Sequence, residues 1–135
     1  MFVALDSNIL IASLSGKEEY SLIAQQLIRD IVSGKHKAIV SSIAYGEVLS
    51  VSNENLDLEG FFSSIDYLDT IPASDSICLK AGRLRLENGS RLRLPDAIHA
   101  ATALSADVDI FVTNDKPLSK ITQSFLPTTL LSDWI

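Results

Sequence analysis

Four carboxylates are set apart in this 135-residue chain by what surrounds them. Asp6 closes the apolar run Phe2-Val3-Ala4-Leu5, and Asp115 follows Ile110-Phe111-Val112 across Thr113-Asn114. An aspartate after a strand is most often a turn former or a helix cap, so each alone has an ordinary structural explanation. Glu47 is different. In a helix over 42–52, Ile43 and Ala44 lie one turn before it and Val51 one turn after, which puts a charge on an apolar stripe. Such a charge costs free energy unless it is paired or binds a cation. The competing reading gives the buried face to Tyr45 and Leu49 and turns Glu47 to water. Asp96 follows Pro95 in the first turn of a helix, where a carboxylate offsets the helix dipole by up to about 1 kcal/mol. His99 lies three residues further, toward the same side. A lone histidine on an alanine-rich helix more often packs or faces water than acts, and His99 stays outside the candidate site. No histidine other than His36 is present to pair with it as a metal ligand, and the chain has neither a Ser-His-Asp spacing nor a glycine-rich phosphate loop.

Such residues need a scaffold that gathers the ends of short strands. Phe2 to Leu5 reads as a strand, 6–8 as a turn, and a second apolar segment starts at Ile9. Over 18–32, Leu22, Ile23, Leu27, Ile28, Ile31 and Val32 recur at helical spacing before Gly34, an amphipathic helix with a stop signal. Ala38-Ile39-Val40 is the next strand, and Ser41 or Ser42 caps the helix carrying Glu47. Residues 53–55 break that helix, 56–65 read as another, 67–71 as a strand closed by Pro72, and 74–87 as a helix ended by Asn88-Gly89. Pro95 opens an alanine-rich helix through Leu104, 110–112 form a strand, and 128–131 a last, weaker one. Arg-Leu-Arg-Leu at 83–86 and again at 91–94, flanking Asn88-Gly89, also fits a hairpin. Ile77, Ala81 and Leu84 fit a helical face, which favours helix then loop. Short apolar strands separated by helices predict a parallel sheet covered on both faces. The expected fold class is α/β, a three-layer α/β/α sandwich with a central, mainly parallel sheet of four or five strands. Ligands of open parallel sheets bind beyond the carboxyl ends of the strands, where Asp6 and Asp115 fall.

Composition bounds the rest. A single domain over 1–135 is expected at this length, and 47% hydrophobic with 21% charged residues excludes disorder, collagen and coiled coil. Apolar stretches fall short of the roughly 18 residues needed to span a bilayer, and no basic segment precedes the first one, so a soluble protein without a secretory signal is expected. Cys78 is alone, which rules out an internal disulfide and a cysteine zinc cluster and fits a reducing cytoplasm. Seventeen acidic against eleven basic residues leave a net charge of −6, which disfavours nucleic-acid binding by bulk charge. Between positions 80 and 93, however, Lys80, Arg83, Arg85, Arg91 and Arg93 face only Glu87, a basic strip in an acidic chain.

Taken in order, these pieces resemble the PIN domain, a metal-dependent nuclease family that includes the toxins of VapBC-type toxin-antitoxin pairs. Leu5-Asp6-Ser7-Asn8, Glu47, Leu94-Pro95-Asp96-Ala97 with Ala100-Ala101, and Val112-Thr113-Asn114-Asp115 carry the resemblance across nearly the whole chain. It implies that Asp6, Glu47, Asp96 and Asp115 converge on one pocket, with Asn8, Thr113 and Asn114 as hydrogen-bonding support. It also implies a single-strand-cutting endoribonuclease that needs Mg²⁺ or Mn²⁺, with RNA as substrate, a cognate antitoxin as partner and a homodimeric state. Carboxylates gathered within a few ångströms repel one another, and a divalent cation removes the conflict. Their hard oxygens suit Mg²⁺ or Mn²⁺. On this basis Asp6 and Asp96 are the principal metal ligands, Asp115 is a third or water-mediated ligand, and Glu47 orients or deprotonates the attacking water. Arg83, Arg85, Arg91, Arg93 and Lys116 are candidate RNA-backbone contacts, with a solvated helix face as their ordinary reading.

Rival classes are weaker. A phosphoaspartate hydrolase of the haloacid dehalogenase type also has an aspartate after its first strand, but needs a second one two positions on, where this chain has Asn8. A housekeeping PIN nuclease, or a PIN-like module that binds without cutting, differs from a toxin in activity rather than in motif. The apolar Leu130-Leu131 with Trp134-Ile135 fits core closure or a contact surface, and core closure is preferred.

Overall fold

Alternation inside short apolar strands sets the architecture. The computed structural model describes residues 1–17, 19–52 and 55–134. Among them, β1 (Phe2–Leu5), β2 (Lys37–Ser41), β3 (Leu68–Ile71), β4 (Ile110–Thr113) and β5 (Thr128–Leu130) form one sheet in the order β3-β2-β1-β4-β5. Every pairing is parallel, with Leu5 opposite Val40 on one side and Val112 on the other. Successive side chains point to opposite faces. Val3, Leu5, Val40 and Val112 therefore enter one core, while Ala4, Ile39 and Phe111 enter the other. Both faces of the central strands β1, β2 and β4 are buried, which is why their middles are apolar, whereas the edge strands β3 and β5 carry Asp69, Thr70, Thr128 and Thr129.

The first core is closed by α1 (Ser7–Ser15), α2 (Ser21–Val32), α3 (Ile43–Val51) and α4 (Leu58–Ser63), through Ile9 and Leu10, Leu27 and Ile31, Ala44 and Val48, and Leu58 and Phe62 respectively. The second is closed by α5 (Asp75–Asn88), α6 (Leu94–Ala106) and α7 (Lys116–Thr122). In α6, Ala97, Ala100, Ala101 and Ala103 are fully buried, so its backbone can lie close against the sheet. This is the three-layer α/β/α sandwich expected, with the strand count resolved at five among the described residues. None of these residues forms a helix long and apolar enough to cross a membrane.

Several boundaries differ from expectation for identifiable reasons. The helix expected from residue 18 begins at Ser21; Glu18 lies outside the described residues, as do Asn53 and Glu54 of the expected break after α3. α4 starts at Leu58 because the Asp57 carboxylate caps it by accepting from the Gly60 N–H. α5 matches the expected helix and ends at Gly89, whose φ of +84° is favoured by glycine, so the hairpin reading of the Arg-Leu repeat is incorrect. The weak last strand stops at Leu130 because Leu131–Asp133 turns into a 3-10 helix. Leu131 is fully buried and Trp134 packs against the first core, in keeping with core closure, while Ile135 lies outside the described residues. α7 was not expected. Asp115 caps it by accepting from the Leu118 N–H at 3.0 Å, and Pro117 stands in its first turn, a start signal hidden behind the strand that precedes it.

Candidate active site

Order in the sheet reverses at β1. Strands β1, β2 and β3 proceed in one direction and β4 and β5 lie on the other side, which makes the carboxyl ends of β1 and β4 the crevice where ligands of such sheets bind. The chain leaves β1 at Asp6 and β4 at Asn114, so Asp6, Asn8, Asn114 and Asp115 fall there by topology.

Asp6 is the buried centre of the arrangement. Its backbone N–H donates to the Val112 carbonyl at 3.0 Å, tying the exit of β1 to β4. Its Oδ1 accepts from the Ser7 N–H at 2.8 Å, and its Oδ2 accepts from the Thr113 hydroxyl at 2.8 Å and from Asn8 Nδ2 at 3.2 Å. Asn8 Oδ1 in turn accepts from the Asn114 N–H at 3.1 Å, and Thr113 Oγ1 accepts from the Asp115 N–H at 3.1 Å. Asn8 is thus a brace between two strand ends, a role its amide fills with both a donor and an acceptor.

Glu47 and Asp96 approach from the two helical layers. On α3 the buried stripe is Ala44 and Val48, whereas Leu49 and Val51 are exposed, so neither sequence reading of this helix holds in full. Glu47 sits at the stripe's edge, with Oε1 2.6 Å from His99 Nε2. His99 is 2% exposed, and its Nε2 also lies 3.7 Å from Asp6 Oδ1. Its Nδ1 is buried without a hydrogen-bond partner among the described residues, so the ring is held from the carboxylate side alone. Asp96, in the first turn of α6, has its Oδ2 3.5 Å from the exposed Arg93 guanidinium. His99 is the residue that sequence reasoning left out. Its one signal was the three-residue offset from Asp96, which is silent about a contact 52 positions away in the chain.

Charge is unevenly distributed among these groups. Burial pushes the Asp6 carboxyl above the ordinary aspartate range; His99 and the Thr113 hydroxyl pull it back, and Asp96 pushes it further up. Burial also raises Asp96, with Arg93 opposing and Asp115 adding to the rise. Glu47 is lowered, chiefly by the His99 hydrogen bond. For His99, burial disfavours the charged ring, but the Glu47 hydrogen bond and the nearby Asp6 outweigh it and raise the ring above its usual value. Asp96 therefore bears on Asp6, and Asp115 on Asp96, each less than burial does, while Glu47 joins the set through His99. Among the described residues, no three His, Cys, Asp or Glu side chains are grouped closely enough to hold a metal ion between them, so the expected convergence of all four acids on one pocket is not seen in this arrangement. The donors that are present are hard carboxylates, whose repulsion His99 and Arg93 offset in part, and such donors suit a cation such as Mg²⁺ that keeps much of its water.

Of the basic residues singled out, Arg93 contacts Asp96, while Arg83, Arg85, Arg91 and Lys116 are exposed and form no ion pair among the described residues.

The family model of the PIN domain matches residues 3–123. The chain belongs to the PIN domain family. Among curated proteins no relative matches this PIN domain by sequence. Solved structures share its fold. A toxin-antitoxin complex from Klebsiella pneumoniae is 24% identical, with a TM-score of 0.61 over 84% of this chain and 86% of that one. The DNA-bound VapBC of Salmonella typhimurium is 19% identical, with a TM-score of 0.66 over 97% and 98%. FitAcB from Neisseria gonorrhoeae reaches 0.70 at 11% identity, over 98% and 99%. At such identities this PIN domain shares their backbone path.

Proposed function

We propose that this PIN domain is a metal-dependent endoribonuclease, hydrolysing phosphodiester bonds in single-stranded RNA, and the toxin of a toxin-antitoxin pair. The observation that carries the reading is the strand-end geometry: Asp6, buried at the exit of β1, shares the Thr113 hydroxyl with the Asp115 backbone and lies 3.7 Å from His99, whose Nε2 stands 2.6 Å from Glu47. Carboxylates drawn to one crevice in this way are what a divalent cation would hold.

Asp6 and Asp96 would hold Mg²⁺ or Mn²⁺, with Asp115 as a third or water-mediated ligand. When bound, the ion lowers the pKa of a coordinated water and offsets charge developing on the phosphoryl oxygens. The remaining work belongs to the chain. Thr113 and Asn8 hold Asp6 Oδ2 in one orientation, and Asn8 ties that orientation to the Asn114 backbone. His99 keeps Glu47 ionised, hence an acceptor able to orient the attacking water; its lowered pKa makes it better suited to alignment than to strong base catalysis. Arg93, beside Asp96 and mostly exposed, is placed to meet an incoming phosphate.

The antitoxin reading draws on the structural neighbours described as toxin-antitoxin complexes. Exposed Leu14 and Val51 border a cavity of about 330 Å³ between α1 and α3, lined also by Lys17, a surface of mixed polarity that such a partner could cover. A cytoplasmic homodimer completes the reading by resemblance.

Asp96→Asn tests the site. Cleavage of a single-stranded RNA in Mg²⁺ or Mn²⁺ should fall by at least about a hundredfold, with the far-ultraviolet circular dichroism unchanged. Full activity in the variant removes Asp96 from the site, and absence of cleavage by the wild type defeats the nuclease reading. For the toxin, expression of the chain alone should arrest growth, and expression of Asp6→Asn should not.

A further inference from the structure

We infer that the surface cavity between the C-terminal end of α5 and α7 binds the phosphate backbone of RNA on one side of the bond that is cut, an inference that rests on the nuclease reading above. The cavity has a volume of about 450 Å³ and is lined by Asn88, Arg91, Lys116, Lys120 and Ser124, with Ile121 as apolar lining. None of its lining residues is acidic, although the chain carries a net charge of −6. Arg91, Lys116 and Lys120 are exposed, and among the described residues none has an ion-pair partner. Three cations gathered without a counter-charge repel one another, and an anion that spans them relieves the repulsion.

Position decides which anion. Lys116 follows Asp115 directly, and Arg91 stands two residues before Arg93, whose guanidinium contacts Asp96. The cavity is therefore built from the same two chain segments that bring Asp96 and Asp115 to the crevice. Lys116 and Lys120 lie one helical turn apart, about 6 Å along the axis of α7, so their ammonium groups offer contacts in sequence along a strand. Asn88 is fixed at the rim, with its Nδ2 donating to the Leu84 carbonyl at 2.8 Å. The basic strip thus divides by tertiary structure: Arg91 joins Lys116 and Lys120, while Arg83 and Arg85 do not line the cavity.

Binding of a labelled single-stranded oligoribonucleotide, measured by fluorescence anisotropy in EDTA across a salt series, tests this. Arg91→Ala with Lys120→Ala should weaken binding about tenfold at low salt and flatten the plot of log affinity against log salt by about 1.4, two contacts at about 0.7 each. Lys35→Ala with Lys37→Ala, which removes two exposed cations paired with Asp30 and Asp69 outside the cavity, should leave both quantities unchanged. Should the first pair impair folding in a thermal melt, Arg91→Gln with Lys120→Gln replaces it. An unchanged slope, an equal loss in the control pair, or no RNA binding by the wild type overturns the proposal. So does loss of binding to a polyglutamate peptide with the RNA slope intact, which would assign the cavity to a protein partner. Cleavage by the wild type with an unaltered slope in the variant refutes the subsite alone; an altered slope without wild-type cleavage refutes the nuclease reading alone.

Discussion

At the scale of residues, His99 is the group on which the site's electrostatics turn. It faces Glu47 at 2.6 Å and Asp6 at 3.7 Å, with Asp96 contributing at longer range. Because its pKa is raised on folding, the stability it contributes is fully present below its ordinary value of 6.5 and is lost as pH rises through the raised one. Glu47, lowered on folding, contributes above its ordinary value and loses that contribution as pH falls through the lowered one. The pair therefore stabilises most strongly in the window between, at mildly acid pH. Thermal melts should show the wild type losing Tm relative to His99→Gln as pH climbs from mildly acid to alkaline. Parallel curves for the two proteins would mean that the ring carries no charge in the fold. Nothing in the neighbourhood of His99 in the sequence announces this, since its partner is on another helix.

At the scale of elements, two of the candidate acids also start helices, so chemistry and folding share atoms. Asp6 caps α1 and Asp115 caps α7. The two roles separate by substitution. Asn caps a helix about as well as Asp, whereas Ala forfeits about 1 kcal/mol. Asp115→Asn should keep the urea midpoint of the wild type and Asp115→Ala should lower it, while both cut RNA poorly. Equal midpoints in the two variants would show that the Leu118 N–H finds another acceptor. Helices with their own apolar periodicity, such as α2 and α5, were legible in the sequence. α7 was not, because its seven residues are too few to show a period and its cap reads equally as the end of a strand.

At the scale of the whole molecule, the sheet order and the charge distribution act together. The same reversal at β1 that opens a crevice also brings Asp6 and the Asp115 backbone onto one Thr113 hydroxyl, and burial there raises the Asp6 carboxyl, a cost that a bound cation would lift. Mg²⁺ or Mn²⁺ at ten times its dissociation constant should stabilise the protein by about 1.4 kcal/mol, a rise in Tm of about 5 °C for a chain of this size. Asp6→Asn should abolish most of that rise. A melting temperature indifferent to metal in the wild type would remove the cation from the site. Lys116 of the α7 cavity follows Asp115 directly in the chain, and the proposed subsite would give an acidic protein a local route to a polyanion.

Local patterning in the chain was enough to determine the α/β class, the strand positions, the carboxylates at strand ends and the short motifs shared with PIN domains. Each of these depends on neighbours within a few residues, where apolar periodicity, caps and stops are written directly. Only the tertiary structure decided that Glu47 is held by His99, that Asn8 braces Asp6 to Asn114, and that Lys120 joins Arg91 while Arg83 does not. Those outcomes depend on strand order and helix rotation, which bring together side chains up to about a hundred residues apart. Such contacts arise from the packing of layers, and no periodicity along the chain encodes them.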